Sequence, residues 1–465
     1  MSGCIFNSKT LGSYDFSSHL IEISNDELNI SLPQAQNIID NKSIYDFNDS
    51  EIEFYKTYLH ETIHLLDCST THWGLNYSGR LYNYFKYETK EAFDNLLVDD
   101  TEISLHYHFK NNSTNKLNYK NIKASLQYDD DMGVYIRVHF FGYVNNYQEI
   151  LNIPLSMLAI LEGHAYAQEQ LFHWEILEKR NDFFKLKMLE NEIKEKLQQT
   201  DLVEYTCVLS FIDQLFPSFS IKLKLKMCIF LCRSSLNADI LTRITIPDWL
   251  IRGIFSNSPP DYVNSLRLDI NRGNSTPAVF FIYLMSLAVY NETNIIIDGT
   301  DFYSYMESIL LNTIYENMHF ESLREISDIS IDHKISLLQQ NGAHLVSELA
   351  NESKNYSWYS FDLREIKLPG VLLCDEYQYL YPKRNLSIDL EDYIDKTLQR
   401  AIRLDKLKNN EPSKKQHLDP RVASAWLQDI KSGKNSRMIV EYSFDDEDNM
   451  EVKKYIRQTI ISLSF

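Results

Sequence analysis

Apolar and polar positions alternate along residues 20–32 (LIEISNDELNISL), which predicts one or two strands. A turn-rich stretch follows up to Asn48, and then the period changes. In EIEFYKTYLHETIHLLDCS, Ile52, Leu59, Ile63 and Leu66 recur at helical spacing, so a helix of about five turns is expected, with that stripe toward a core. Ser50 and Glu53, three apart at its start, read as a capping box. Alternation returns over 101–147, in TEISLHYHF and in KASLQYDDDMGVYIRVHFFGYV, where the Asp-Asp-Asp-Met-Gly run makes a turn between two strands. From Pro154 the pattern is helical again, through LSMLAILEGHAYAQEQLFHWEILEKR and on toward Gln199. Pro154 suits the first helical turn, and Asn181–Asp182 marks a break. Residues 206–350 read as several more helices, interrupted near 256–260 and 271–277. The polar stretch 405–420, with two prolines, reads as an exposed linker or loop. A small tail over 421–465 carries one strand (RMIVEYSF), an acidic turn and a short helix.

The overall class expected from these elements is α+β. Composition narrows the functions such a chain can have. At 465 residues it can form two or three domains. Its formal net charge of −19 argues against a general nucleic-acid binder, which needs a basic face to neutralise phosphates. The N-terminal residues show no basic region followed by an apolar run, so no secretory signal is expected. The longest apolar stretch, Ala278 to Tyr290, is shorter than the ~20 residues that span a bilayer and reads as a buried core helix. Six scattered cysteines (Cys4, Cys68, Cys207, Cys228, Cys232 and Cys374) with no CxxC pair suggest reduced thiols in a cytosol. Cys228 and Cys232, four apart on an expected helix, read as core residues. Glycine is scarce, and neither GxGxxG, GxxxxGK[ST] nor GxSxG occurs, so dinucleotide, P-loop and serine-elbow chemistries lack support.

One motif carries chemistry. His60-Glu61-Thr62-Ile63-His64 is HExxH, set inside the expected five-turn helix. Positions i and i+4 of a helix lie one above the other, so the two imidazoles can grip one metal ion. Glu61 is displaced around the helix and is placed to act as general base toward water. A catalytic zinc needs a third protein ligand and an open position. Leu161-Glu162-Gly163-His164-Ala165 carries a carboxylate on a second expected helix, beside the small residues Gly163 and Ala165, which would let two helices approach closely enough to share one ion.

HExxH followed by a helix bearing Glu-Gly-x-Ala resembles the gluzincin metallopeptidases, the thermolysin-like and aminopeptidase-like zincins. The resemblance implies Glu162 as third zinc ligand, and Glu169, seven residues on, is similar to the aminopeptidase-like form. It covers two short segments only. Glu162 lies 98 residues after His64 (162 − 64), a longer gap than usual, and the interval reads as a β-rich insertion. Tyr166 stands where thermolysin-like members have an aspartate, and no GxMEN-type exopeptidase motif is evident. The metzincin pattern HExxHxxGxxH is excluded, because Asp67 and Thr70 occupy its Gly and His positions. The expected organisation is therefore a zincin-like metallopeptidase domain over 1–205, a mainly helical region over 206–404, a linker at 405–420 and a small C-terminal α/β segment over 421–465.

Rival ligands exist. Asp67 can orient a ligand histidine or can be an exposed helix-end residue, and His72 can fold back onto the metal. His164 lies over half a turn from Glu162 and can line the cleft; Glu169 can serve as support or cleft wall. Tyr166 or His139 can stabilise an oxyanion, and His106 and His108 face one side of an expected strand. The leading expectation is a cytoplasmic zinc metallopeptidase holding one Zn2+ per chain, acting on a protein or peptide substrate, with room for a regulatory protein partner and no nucleic-acid or membrane partner. Two alternatives stand beside it. One is a carboxylate di-iron protein drawing on Glu61, His64, Glu162, Glu169 and His173, although Glu169 to His173 is ExxxH rather than ExxH. The other is a partner-binding protein with a structural or vestigial metal site, which would have no use for Glu61.

Overall fold

The computed structural model describes residues 11–16, 19–24, 27–40, 43–87, 119–129, 133–142, 149–199, 202–290, 301–316, 322–360, 362–373, 378–384 and 386. The strand expected in TEISLHYHF, with His106 and His108, lies outside them, as do the 405–420 linker and the 421–465 tail. In chain order the described elements begin with β1 (Gly12–Asp15), β2 (Leu20–Ile23), α1 (Leu32–Asp40), α2 (Asp49–Thr70) and α3 (His72–Tyr87). There follow β3 (Tyr119–Asp129), β4 (Gly133–Gly142), β5 (Glu149–Pro154), α4 (Met157–Lys179), α5 (Phe183–Lys196), α6 (Val203–Leu215) and α7 (Ile221–Leu236). The remainder is α8 (Ile240–Thr245), α9 (Asp248–Ile254), α10 (Pro260–Asn271), α11 (Thr276–Tyr290), α12 (Phe302–Ile314), α13 (Leu323–Gln340), α14 (His344–Ser353), β6 (Val371–Leu373) and β7 (Gln378–Leu380). The chain is thus a mixture of many helices and two small sheets, an α+β protein. Its described residues form two compact units from interleaved segments: those within Met1–Thr70, Tyr77–Asp99 and Leu337–Ile461 in one, and those within Thr71–Asn76 and Asp100–Ser336 in the other.

In the first unit the sheet order is β1-β2-β6-β7, so β1 is an edge strand. It runs antiparallel to β2, pairing Gly12 with Ile23 and Tyr14 with Ile21, while β2 and β6 are parallel. Helix α2 lies against β1, β2, α1 and α14. Its sequence predicts one apolar stripe, but every residue from Tyr58 to Thr70 is buried. The hydroxyls on this buried surface turn back onto their own helix: Thr62 Oγ1 donates to the Tyr58 carbonyl (2.7 Å) and Ser69 Oγ to that of Leu65 (2.6 Å).

Two local expectations are corrected here. The turn-rich stretch up to Asn48 contains helix α1, while among the described residues of 20–32 one of the one or two expected strands forms, Leu20–Ile23. Ser31 Oγ donates to Gln34 Oε1 (2.7 Å), Pro33 falls in the first turn, and Ala35, Ile38 and Ile39 form the buried stripe. The cap of α2 is Asn48 with Glu51, not Ser50 with Glu53. Glu51 N donates to Asn48 Oδ1 (3.0 Å) and Asn48 N donates to Glu51 Oε2 (2.7 Å). Glu53 is instead drawn to the Lys56 ammonium (3.0 Å).

In the second unit β3, β4 and β5 form an antiparallel sheet in that order, with Asp129–Gly133 closing the expected hairpin. Alternate residues of β4 (Val134, Ile136, Val138, Phe140) are buried. Pro154 belongs to the end of β5, where it faces Arg137, and not to a helix: a residue without an N–H is tolerated on an edge strand. Helix α4 opens instead at Ser156, whose Oγ accepts from Ala159 N (3.1 Å). The break at Asn181–Asp182 forms as expected. Asn181 takes a left-handed conformation (φ 56°) and Asp182 caps α5 by accepting from Lys185 N (3.0 Å). The breaks near 256–260 and 271–277 separate α9, α10 and α11. Helix α11 is a core helix, as its apolar run suggests, and no described helix is long and apolar enough to cross a membrane.

Asn48→Ala removes one half of the α2 cap and should destabilise the protein by ~1 kcal/mol, whereas Ser50→Ala should cost a few tenths at most. Urea unfolding midpoints check this. Equal losses in the two variants would put the cap back at Ser50.

Candidate metal centre

His60 and His64 sit one turn apart on α2, with ring centroids 4.9 Å apart and planes at 80°. Both are buried, at 8% and 3% exposure. The His64 ring is walled by aromatic groups from β1 and the turn after it. Tyr14 lies 6.2 Å away at 28°, and Phe16 lies 6.0 Å away at 47°. Tyr14 is held in turn by a 2.6 Å hydrogen bond with Nδ1 of His19, whose ring stacks on Tyr82. Packing on this scale restricts the imidazole to few orientations, as a ligand group requires.

Glu162 is fully buried on α4, within an unbroken buried run from Met157 to Gln168. Together with His60 and His64 it completes a group in which one ligand atom from each residue lies within 4.8 Å of the others. Among the described residues no other set of three or more His, Cys, Asp and Glu donors converges in this way. Two imidazole nitrogens and a carboxylate oxygen, all shielded from bulk water, are a donor set that suits zinc and leaves one coordination position open. The residues present therefore fit a metal ion.

The other candidates fall outside this group. The Glu61 side chain lies against the start of β1: a Cβ added at Gly12 would come 3.0 Å from Glu61 Cγ and 3.1 Å from its Oε1. Asp67 is fully buried beside Cys68, whose thiol pKa is raised well above its ordinary value by burial, with a smaller contribution from the Asp67 charge. His72 opens α3, meets the Lys334 ammonium (2.8 Å) and is not part of the metal group. His164 meets Gln168 (3.3 Å), and Glu169 accepts from Gln170 Nε2 (2.6 Å). Tyr166 lies under the Lys196 ammonium, 5.7 Å from its ring centroid; burial, then the charges of Glu169 and Glu192, raise its pKa well above the usual phenol value. His139 is placed between Ser125 Oγ (2.8 Å) and Glu149 Oε2 (2.7 Å) on the solvent side of the β3–β5 sheet. Cys68, Cys207, Cys228 and Cys232 are buried free thiols.

One expectation about this region is revised. Gly163 faces α6, where an added Cβ would meet Val208 Cβ at 3.2 Å, and its carbonyl accepts from Cys228 Sγ (3.4 Å). Its small size serves the packing of α4 on α6 and α7. Gly12, Tyr14 and Phe16 went unnoticed in the sequence, although their spacing of two is the signal of one strand face. No protein-family model, curated protein or solved structure matches this chain.

Purified protein should bind one zinc per chain. His60→Ala, His64→Ala and Glu162→Ala should each lose it in the presence of a weak chelator, because each removes one of three ligands. His164→Ala should keep it. Elemental analysis after gel filtration is the check, and full occupancy in any of the first three variants would contradict the ligand set.

Proposed function

We propose that the chain is a zinc-dependent metallopeptidase with a zincin-like catalytic arrangement. The observation that supports this most is the meeting of His60, His64 and Glu162, which brings the HExxH pair to the distant carboxylate that its resemblance to gluzincins singles out. When bound, zinc supplies a Lewis acid that polarises a carbonyl and makes water acidic near neutral pH. The chain's residues supply the remainder. His60, His64 and Glu162 hold the ion and leave a position open. Glu61 is the proton carrier in this reading. It follows His60 directly, so its side chain projects about 100° around the helix from that ligand and is not needed for binding metal. A carboxylate there takes the proton from the attacking water and delivers it to the departing amine. The burial of all four side chains favours this role, because a dry site strengthens each electrostatic interaction in it.

The expected substrate is a protein or peptide, and the expected compartment is a cytosol. Four buried free thiols, with no disulfide among the described residues, agree with a reducing compartment. A dinuclear iron site would need further carboxylates beside these three donors. Glu169 and His173 form no such group, so a mononuclear site is preferred.

Glu61→Gln keeps the size of the side chain and removes its basicity. Hydrolysis of a casein-derived peptide library should fall to a few per cent of wild type or less, with zinc content and circular dichroism unchanged. Near-wild-type turnover in the glutamine variant would remove Glu61 from the chemistry.

A further inference from the structure

Gly12 stands at the start of an edge strand, where glycine is a poor choice: it adds no packing and weakens the strand. Its backbone does not require glycine either. The described glycines with positive φ are Gly133, Gly273 and Gly342, and Gly12 is not among them. What the position lacks is room. A Cβ there would lie 2.6 Å from Thr57 Cγ2, 3.0 Å from Glu61 Cγ and 3.1 Å from Glu61 Oε1. Thr57 and Glu61 are four residues apart, so they share one face of α2, and that face meets β1 at this point. Thr57 has little freedom to retreat, because its Oγ1 donates to the Glu53 carbonyl (3.0 Å). Two residues along the same strand face, Tyr14 is against His64, and Phe16 follows it.

We propose that Gly12 is a positioning residue for the general base: its missing side chain is the space in which the Glu61 side chain is held. This rests on the reading of Glu61 as the proton carrier. Gly12 touches no reacting atom. It acts by letting β1 approach α2 closely enough to confine the Glu61 side chain to one place. Any larger residue pushes both Thr57 and Glu61 aside, and only the second displacement matters for catalysis.

That difference gives the experiment. Gly12→Ala should lower both thermal stability and kcat. Adding Thr57→Ser deletes the methyl group in the tightest contact and keeps the hydroxyl, so the double variant should recover stability. The Glu61 contacts at 3.0 and 3.1 Å remain, so kcat should stay several-fold below wild type with KM and zinc affinity near wild type, the direction of loss expected when a catalytic group is displaced. In glutamate-labelled protein, the carboxyl resonance of Glu61, assigned from its disappearance in Glu61→Gln, should also move in the double variant. Recovery of kcat together with stability would overturn the proposal, and so would an unmoved Glu61 resonance. Absence of hydrolysis in the wild type would sink the metallopeptidase reading instead, and the resonance would still decide the role of Gly12.

Discussion

A carboxylate without exposed surface is the constraint on which this structure turns. Glu162 is fully buried, and His60 and His64, whose ligand atoms lie within 4.8 Å of its own, are buried as well. Taking a carboxylate and two imidazoles out of water costs free energy that a bound cation can offset. A divalent ion bound there would engage all three groups at once as ligands. Helix α2 departs from an ordinary amphipathic helix. It is buried all round from Tyr58 to Thr70; His60 and His64 belong to the metal-ligand group there, and Thr62 and Ser69 bond backbone carbonyls of their own helix.

The precision of such a site comes from the layer behind the ligands. Strand β1 and the turn after it run along α2 with a spacing of two residues: Gly12 at Glu61, then Tyr14 and Phe16 at His64. Gly12 and Tyr14 of the strand, with Phe16 in the turn after it, thus meet the helix in sequence. The hydrogen bond between Tyr14 and His19, and the stacking of His19 on Tyr82, fix this face further. A short edge strand of four residues is an economical support. It pairs with β2 and contacts α2 beside Glu61 and His64.

Much of the site is legible in the sequence because its signals are local. His60, Glu61 and His64 lie within five consecutive residues, and helical geometry alone places the two imidazoles together. Glu162 is 98 residues away (162 − 64), and only its resemblance to a Glu-Gly-x-Ala segment singles it out. The α+β class and the β3–β4 hairpin follow from periodicity and a turn run, which are also local. What sequence reasoning missed depends on partners distant along the chain or on competition between adjacent signals. Asn48 outcompetes Ser50 as a cap because Glu51 is placed to answer it. Pro154 suits a first helical turn equally well as the end of an edge strand, and the pairing with Arg137 decides. Gly163 has the small size expected at a helix contact, but the partner is Val208 of α6. Gly12 shares with Tyr14 the spacing of one strand face, but its contact with Thr57 and Glu61 depends on how the strand packs on α2, which no local pattern records.

The central claim is that two imidazoles and one carboxylate from these two distant segments hold a single zinc. X-ray absorption at the zinc edge reads that directly. The account predicts a first shell of nitrogen and oxygen only, at ~2.0–2.2 Å, with imidazole scattering that fits two histidines and falls to one in His64→Ala protein loaded with excess zinc. A sulfur shell at ~2.3 Å, or a first shell without imidazole, would contradict it.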